Sequence, residues 1–216
     1  MKRIAVLVTM IAGVATPAVA QWAGMPAWNN PKGGTGVTIN GDVGVPNTDA
    51  GKGTAFGARG TLGLANISFT AGVASWKPKG APASATSVGG VAQFRAIGGS
   101  LIPISLNIQL GAGTMSAISD TIPRPKVTTI LAGAGLSVNV PTPGLSIEPY
   151  VSVSNRWHKP SGGSTASNIG VVFGANVGLG MLGLHVAYDT EKLDGGGTAG
   201  VLGIGVHVAL KAPIGM

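Results

Sequence analysis

The stretch from Leu182 to Leu210 restricts the fold of this chain more than any other. Leu182, Leu184, Val186 and Tyr188 alternate with Gly183, His185, Ala187 and Asp189. After a connector at Gly195-Gly196-Gly197, Leu202, Ile204, Val206, Val208 and Leu210 alternate with Gly203, Gly205, His207, Ala209 and Lys211. A period of two places one side-chain set on each face of a strand. A soluble sandwich would need a second face polar enough for water. Here that face is Gly, Ala and a few isolated ionisable groups, which suits the interior of a narrow barrel whose apolar face meets lipid.

The first twenty residues read as a leader. Lys2 and Arg3 form a basic start, Ile4 to Val14 an apolar run, and Ala18-Val19-Ala20 a small-x-small cleavage site, so the processed chain is expected to begin at Gln21. The apolar run is too short to span a bilayer. Of the 216 residues 44% are hydrophobic and only 10% charged, and beyond the leader there is no apolar run of helix-spanning length. Such a chain must bury a large core or face lipid as strands. The 37 Gly and 14 Pro argue against helices. There is no Cys, so backbone pairing rather than disulfides must hold an exported chain together. The formal charge is +7, and loss of Lys2 and Arg3 leaves +5, scattered along the chain. Nucleic acid is not an expected partner.

Residues 21–35 carry Trp22, Pro26, Trp28 and Pro31 without alternation, and read as a periplasmic tail or a short plug, the tail being the expectation. The barrel domain is expected over 36–212. Val37, Ile39, Val43 and Val45 oppose Thr38, Asn40 and Asp42; Ile104, Leu106, Ile108 and Leu110 oppose Ser105, Asn107 and Gln109. Similar sets recur to Leu210, giving an all-β, closed, antiparallel up-and-down barrel of ten strands, with eight as the alternative. Connectors at Pro46, Lys77, Ser119, Pro160 and Lys192 are long and polar, whereas those at Ala65, Gly99, Pro141 and Gly180 are short. Alternating short and long connectors mark a membrane barrel with periplasmic turns and outer loops. Phe56, Trp157 and Tyr188 fit an outer aromatic girdle, and Trp22 or Trp28 could supply a lower one. Trp76 has the wrong parity, which predicts a bulge or strand end near Ser75.

This pattern resembles the small outer-membrane β-barrel proteins of Gram-negative bacteria. The final strand is similar to their assembly signal, with Gly203, Gly205, Val208 and Leu210 in its positions, although the chain runs on through Ala212-Pro213-Ile214 to Met216 where that family ends on an aromatic. The resemblance implies residence in the outer membrane, contact with lipid and lipopolysaccharide, insertion by the barrel-assembly machinery, a monomer, and no cofactor.

The inward parity collects a polar network: Asp42, Arg59, Arg95, Glu148, Arg156, His185, Asp189, His207 and Lys211, with His158 beside it. Asp42 is expected diagonally across from Arg59, and His185 opposite His207. Such groups fill a narrow interior and fix register, or line a conduit or titrating gate. No catalytic residue is assigned: His158 lies near Ser154 and Ser161, but no carboxylate is evidently placed beside it, as acyl transfer would need. Two His residues are too few for a metal site. The inward Gly57, Gly111, Gly133, Gly174 and Gly203 are expected to leave extra room. Lys52, Lys77, Lys79, Arg124, Lys126 and Lys159 could meet lipopolysaccharide phosphates. The function expected is a structural or narrow-pore, porin-like role; an outer-rim enzyme on lipid or peptide and a soluble exported β-domain are the alternatives.

Overall fold

The computed structural model describes residues 21–98, 102–117, 125–194 and 196–210. The leader lies outside these residues, as do Lys211, Arg124 and the chain end. Eleven strands follow in order: β1 Gly36–Pro46, β2 Gly53–Leu64, β3 Ile67–Pro78, β4 Ala85–Ile97, β5 Ile104–Met115, β6 Val127–Val138, β7 Val140–Thr142, β8 Leu145–Pro160, β9 Ala166–Leu179, β10 Leu182–Lys192 and β11 Thr198–Leu210. Ten of them make the barrel. The short β7 continues β6 past Asn139 and pairs only with the start of β8.

Each barrel strand pairs antiparallel with its chain neighbour, and two further ladders close the ring. β6 pairs with β8, and β11 pairs with β1 from Val37↔Leu210 to Pro46↔Val201. The C-terminal hairpin is therefore the closing hairpin, and among the described residues the ten barrel strands leave no open edge. The strands tilt. Pairing partners followed from Gly36 run through Gly63, Ser68, Gln93, Gln109, Gly133, Ser154, Gly170, Glu191 and Ala199. One circuit thus starts at the inner end of β1 and returns at its outer end. That displacement is the stagger a closed barrel requires.

The outer surface is apolar on every strand: Ile39, Phe56, Leu110, Ile130, Ile169 and Ile204 are all exposed, Phe56 at 62%. The inward set holds Asn40, Asp42, Gln93, Asn107, Gln109, Glu148 and Arg156, all buried. An apolar exterior around a polar interior is the arrangement a strand must adopt to cross hydrocarbon. Tyr188 is exposed and Trp157 half-buried at the outer end. Phe69 and Phe94 are exposed toward the inner end and form the lower aromatic band. Trp22 and Trp28 do not belong to it, for both are buried inside.

Trp76 also points inward, at 0% exposure, and no bulge turns it. The β2–β3 register is continuous from Leu64↔Ile67 to Gly53↔Pro78. β3 reaches Pro78 and β4 begins at Ala85, so the polar connector is shorter than Lys77 to Ser87. Ala85 and Ser87 hold inward positions that small side chains suit. The tight turns at the inner end use a left-handed residue, Gly180 at φ 62° and Ala65 at φ 56°. For Ala65 that conformation is strained.

Candidate functional site

The segment expected as a tail occupies the lumen. Gln21 to Asn29 are buried throughout, with Trp22 at 1% and Trp28 at 5%. The segment runs from Gln21 in the outer half to Thr35 at the inner end, where β1 begins. It fits because the wall lacks side chains along its path. A Cβ on Gly44 would overlap the carbonyl of Gly24, one on Gly63 that of Gly34, and one on Gly113 that of Gln21. The room expected from other inward glycines is filled by side chains of the plug or of the wall. Met25 reaches over Gly57, the Gln21 side chain over Gly111, Pro26 and Trp28 over Gly203, Tyr150 over Gly174 and Ser154 over Gly133.

Backbone polar groups of the plug find partners on the wall, as burial demands. Ala23 N–H donates to Ser87 Oγ at 2.8 Å, Ala27 N–H to Asp189 Oδ2 at 2.8 Å and Lys32 N–H to Glu148 Oε1 at 2.9 Å. The Lys32 carbonyl accepts from Arg95 Nη1 at 2.6 Å, and Arg95 Nη2 donates to Asn66 at 2.6 Å. The Asn29 carboxamide oxygen accepts from Gln93 at 2.9 Å and from Asn107 at 2.7 Å. Glu148 is completed by Ser137 at 2.6 Å and Asn176 at 3.4 Å.

Two ionic clusters flank the plug. On β8 and β10, Arg156 bonds Asp189 at 2.8 Å and Glu191 at 3.0 Å. Glu191 also holds His158 Nε2 at 2.8 Å and Asn168 at 2.8 Å, and His158 Nδ1 lies 3.0 Å from Thr129 Oγ1. Sequence reasoning missed Glu191 by ending the strand at Asp189, although it shares that residue's parity. A carboxylate does stand beside His158, two strands away. The hydroxyl there is Thr129, since Ser154 Oγ is engaged by Arg156 at 3.1 Å. Thr129, His158 and Glu191 are each 2% exposed or less, and none borders the inner cavity.

The second cluster joins β1, β2, β10 and β11. Arg59 grips Asp42 through Nε at 2.6 Å and Nη2 at 2.9 Å, the diagonal contact the register allows. His185 Nε2 lies 2.6 Å from Asp42 Oδ1. His185 and His207 are offset rather than opposite, because His207 pairs with Gly183 and His185 with Gly205. Their Nδ1 atoms still approach to 3.3 Å, so one ring donates and the other accepts. Trp28 packs its ring against both Arg59 and His185. The Arg59 guanidinium carbon is 4.9 Å from the ring centroid, and His185 meets it edge-on at 4.6 Å.

Below Trp28 the lumen opens into a cavity of about 320 Å³ on the short-turn side. Thr38, Asn40, Thr61, Ser68, Thr70 and Gln93 line one wall, and Glu148, Asn176 and His207 the other. Above Trp28 the interior is packed: Trp22, Ala55, Ala74, Trp76, Met115, Val127, Leu131 and Val172 form one buried cluster. Lys52, Lys77, Lys79, Lys126 and Lys159 are exposed at the outer ends and loops.

No protein-family model and no curated protein matches this sequence. Solved structures do match. The β-domain of the Bordetella autotransporter BrkA is similar at TM-score 0.51 and 11% identity, over 83% of this chain and all of that one. A bacterial polysaccharide outer-membrane secretin is similar at TM-score 0.50 and 11% identity, over 74% of this chain. The chain spans 57% of that secretin's length. What it shares with these outer-membrane proteins is the closed antiparallel barrel, and no narrower subfamily is singled out.

Proposed function

We propose that this is an integral outer-membrane barrel with a structural or narrow-pore role, closed in its resting state by its own N-terminal segment. The observation that carries this is the burial of Gln21 to Asn29 inside a ring with no open edge. A ten-strand barrel is narrow before anything enters it, and here Trp22, Met25, Trp28 and Trp76 meet across its outer half. Its inner cavity is a blind vestibule. The apolar exterior supports insertion in lipid, and the exposed lysines at the outer rim would meet lipopolysaccharide phosphates. Insertion by the barrel-assembly machinery and a monomeric state complete the proposal. The Thr129–His158–Glu191 array has the residue types of a hydrolase, but its burial and its tie to Arg156 favour a role in holding strands together.

Conductance of refolded protein in planar bilayers tests the reading. The full-length processed chain should be silent or show rare small steps. A chain lacking residues 21–33 should show frequent discrete steps. Large porin-like steps from the intact chain would defeat the closed narrow barrel.

A further inference from the structure

We propose that the inner cavity is a binding site for a small uncharged saccharide, held between Glu148 and the amide and hydroxyl wall below Trp28. This goes beyond the closure reading and shares with it only the plug, whose Trp28 and Asn29 help line the space.

At about 320 Å³ the cavity falls at the lower end of the range of small-molecule sites, about 300–1,000 Å³. That suits a mono- or disaccharide rather than a longer chain. One side of the lining is chemically uniform. Thr38, Asn40, Thr61, Ser68, Thr70 and Gln93 stand together on β1 to β4, all neutral and all able to hydrogen-bond. The charges around the space balance. Arg59 is tied to Asp42, and Lys32 shares the lining with Glu148, so neither a cation nor an anion meets an excess of the opposite sign.

The hydrogen-bonding capacity of this lining is only partly used inside the protein. Asn40 is 8% exposed; its Nδ2 donates to the Arg59 carbonyl at 3.3 Å, while its Oδ1 has no donor among the described residues. Thr61 and Thr70 share one bond at 2.8 Å, which occupies one of their two hydroxyl protons. Glu148 stands apart from the other lumen carboxylates. Asp42, Asp189 and Glu191 each pair with an arginine. Glu148 is 5% exposed and holds neutral donors: Lys32 N–H and Ser137 on Oε1, and Asn176 on Oε2 at 3.4 Å. The Lys32 ammonium goes instead to Asn139 at 3.0 Å. Glu148 Oε2 is therefore the least satisfied carboxylate oxygen among these four residues. A free acceptor on Asn40, a spare proton at Thr61 and Thr70 and a charged acceptor at Glu148 call for groups that both donate and accept. Hydroxyls do so, and a saccharide carries several on one rigid ring. Rigidity limits the ordering cost of binding.

Saturation-transfer NMR of the refolded full-length processed chain tests this, in an amine-oxide detergent that carries no sugar, with glucose, galactose and maltose as probes. At least one probe should receive saturation on its ring protons. No transfer to any of them, or transfer to methylammonium in their place, overturns the proposal. Glu148→Gln should bind the same sugar about tenfold more weakly, the loss expected for one hydrogen bond to a charged acceptor. Because Glu148 also anchors Lys32 N–H, Asn40→Leu is the second variant, for the Asn40 side chain bonds Arg59 rather than the plug. It removes the free Oδ1 and should show a loss of similar size, with unchanged strand content by circular dichroism. Wild-type affinity in both variants places the sugar elsewhere on the protein and overturns the site. Conductance reads closure and the sugar signal reads the cavity, so either reading can fail without the other.

Discussion

Leu131 on β6 and Thr61 on β2 both point into the lumen, yet they live in different media. Leu131 is 0% exposed in a cluster with the plug's aromatic residues, whereas Thr61 borders the inner cavity. The division runs through the whole barrel. In the outer half an apolar cluster and an ionic cluster without solvent access fill most inward positions, and the hydroxyls and amides among them, such as Ser87, Thr129 and Asn168, are bonded to the plug or to the ionic cluster. In the inner half those positions are hydroxyls and amides around open space. The two halves share strands and backbone, so the difference comes from side chains alone. It teaches that the interior of one barrel can be a packed core at one end and a wet vestibule at the other, with Trp28 near the boundary. Interactions in the outer half should therefore behave like those of a protein core, and those in the inner half like those of a surface.

The largest contrast is expected at Arg156. Replacing it by Met (R156M) removes the cation between Asp189 and Glu191, which are 2.8 and 3.0 Å away and sealed from water. Breaking a buried ion pair from one side costs about 3–5 kcal/mol. Urea unfolding of the refolded barrel should show that loss, together with release of the plug, because Asp189 also anchors Ala27 N–H. A loss below about 1 kcal/mol, the range of exposed pairs, would mean that water reaches the outer half and that the comparison is wrong.

Overpacking gives the next effect. Gly113→Val places a side chain where the Gln21 carbonyl lies, while the atoms nearest the new Cβ all belong to Gln21. Overpacking a tight interior costs about 1–3 kcal/mol, and here the plug can yield while the wall stays. Raised bilayer conductance with unchanged strand content by circular dichroism is the expected result. Gly60→Val is the matched control, for Gly60 faces outward with nothing within 4 Å of its Cβ, and it should leave both readouts unchanged. If Gly113→Val unfolds the barrel, plug and wall are one cooperative unit rather than a closure seated in a finished ring.

The barrel was legible because a period of two repeats on every strand and is read locally. Val37 to Val45 and Ile104 to Leu110 show it plainly, and the connector lengths order the strands. The plug was not legible in the same way, since Gln21 to Thr35 has no period and its partners are distant in the chain. Two signals pointed to it. Inward Trp76, Leu131 and Val172 break the polar-inside pattern in the outer half, which makes sense only if something apolar fills that space. Inward glycines point the same way: Gly44, Gly63 and Gly113 mark the track of the plug backbone, and Gly57, Gly111 and Gly203 make room for its side chains. Within the polar set, Asp42–Arg59 followed from register. The offset of His185 from His207 needed the true hairpin pairing, and Glu191 needed two more residues of β10. Asn29 and Lys32 could not be found by strand parity at all, because their contacts with Asn107, Gln93 and Glu148 exist only once the segment is inside.

The smallest effect is expected at Thr61, and it bears most directly on the inner half. Thr61 Oγ1 lies 2.8 Å from Thr70 Oγ1 across the β2–β3 ladder, and both border the cavity. Thr61→Val keeps shape and strand preference but removes one hydroxyl. In a dry site the remaining Thr70 hydroxyl would be left unsatisfied at a cost of about 1–3 kcal/mol; with water at hand the loss should fall to about 0.5–1 kcal/mol. Denaturant unfolding beside wild type measures it. A loss near that lower range, set against the several kcal/mol at Arg156, would establish the contrast by measurement on one protein. A loss of 2 kcal/mol or more would place Thr61 in a dry interior and make the vestibule an extension of the core above it.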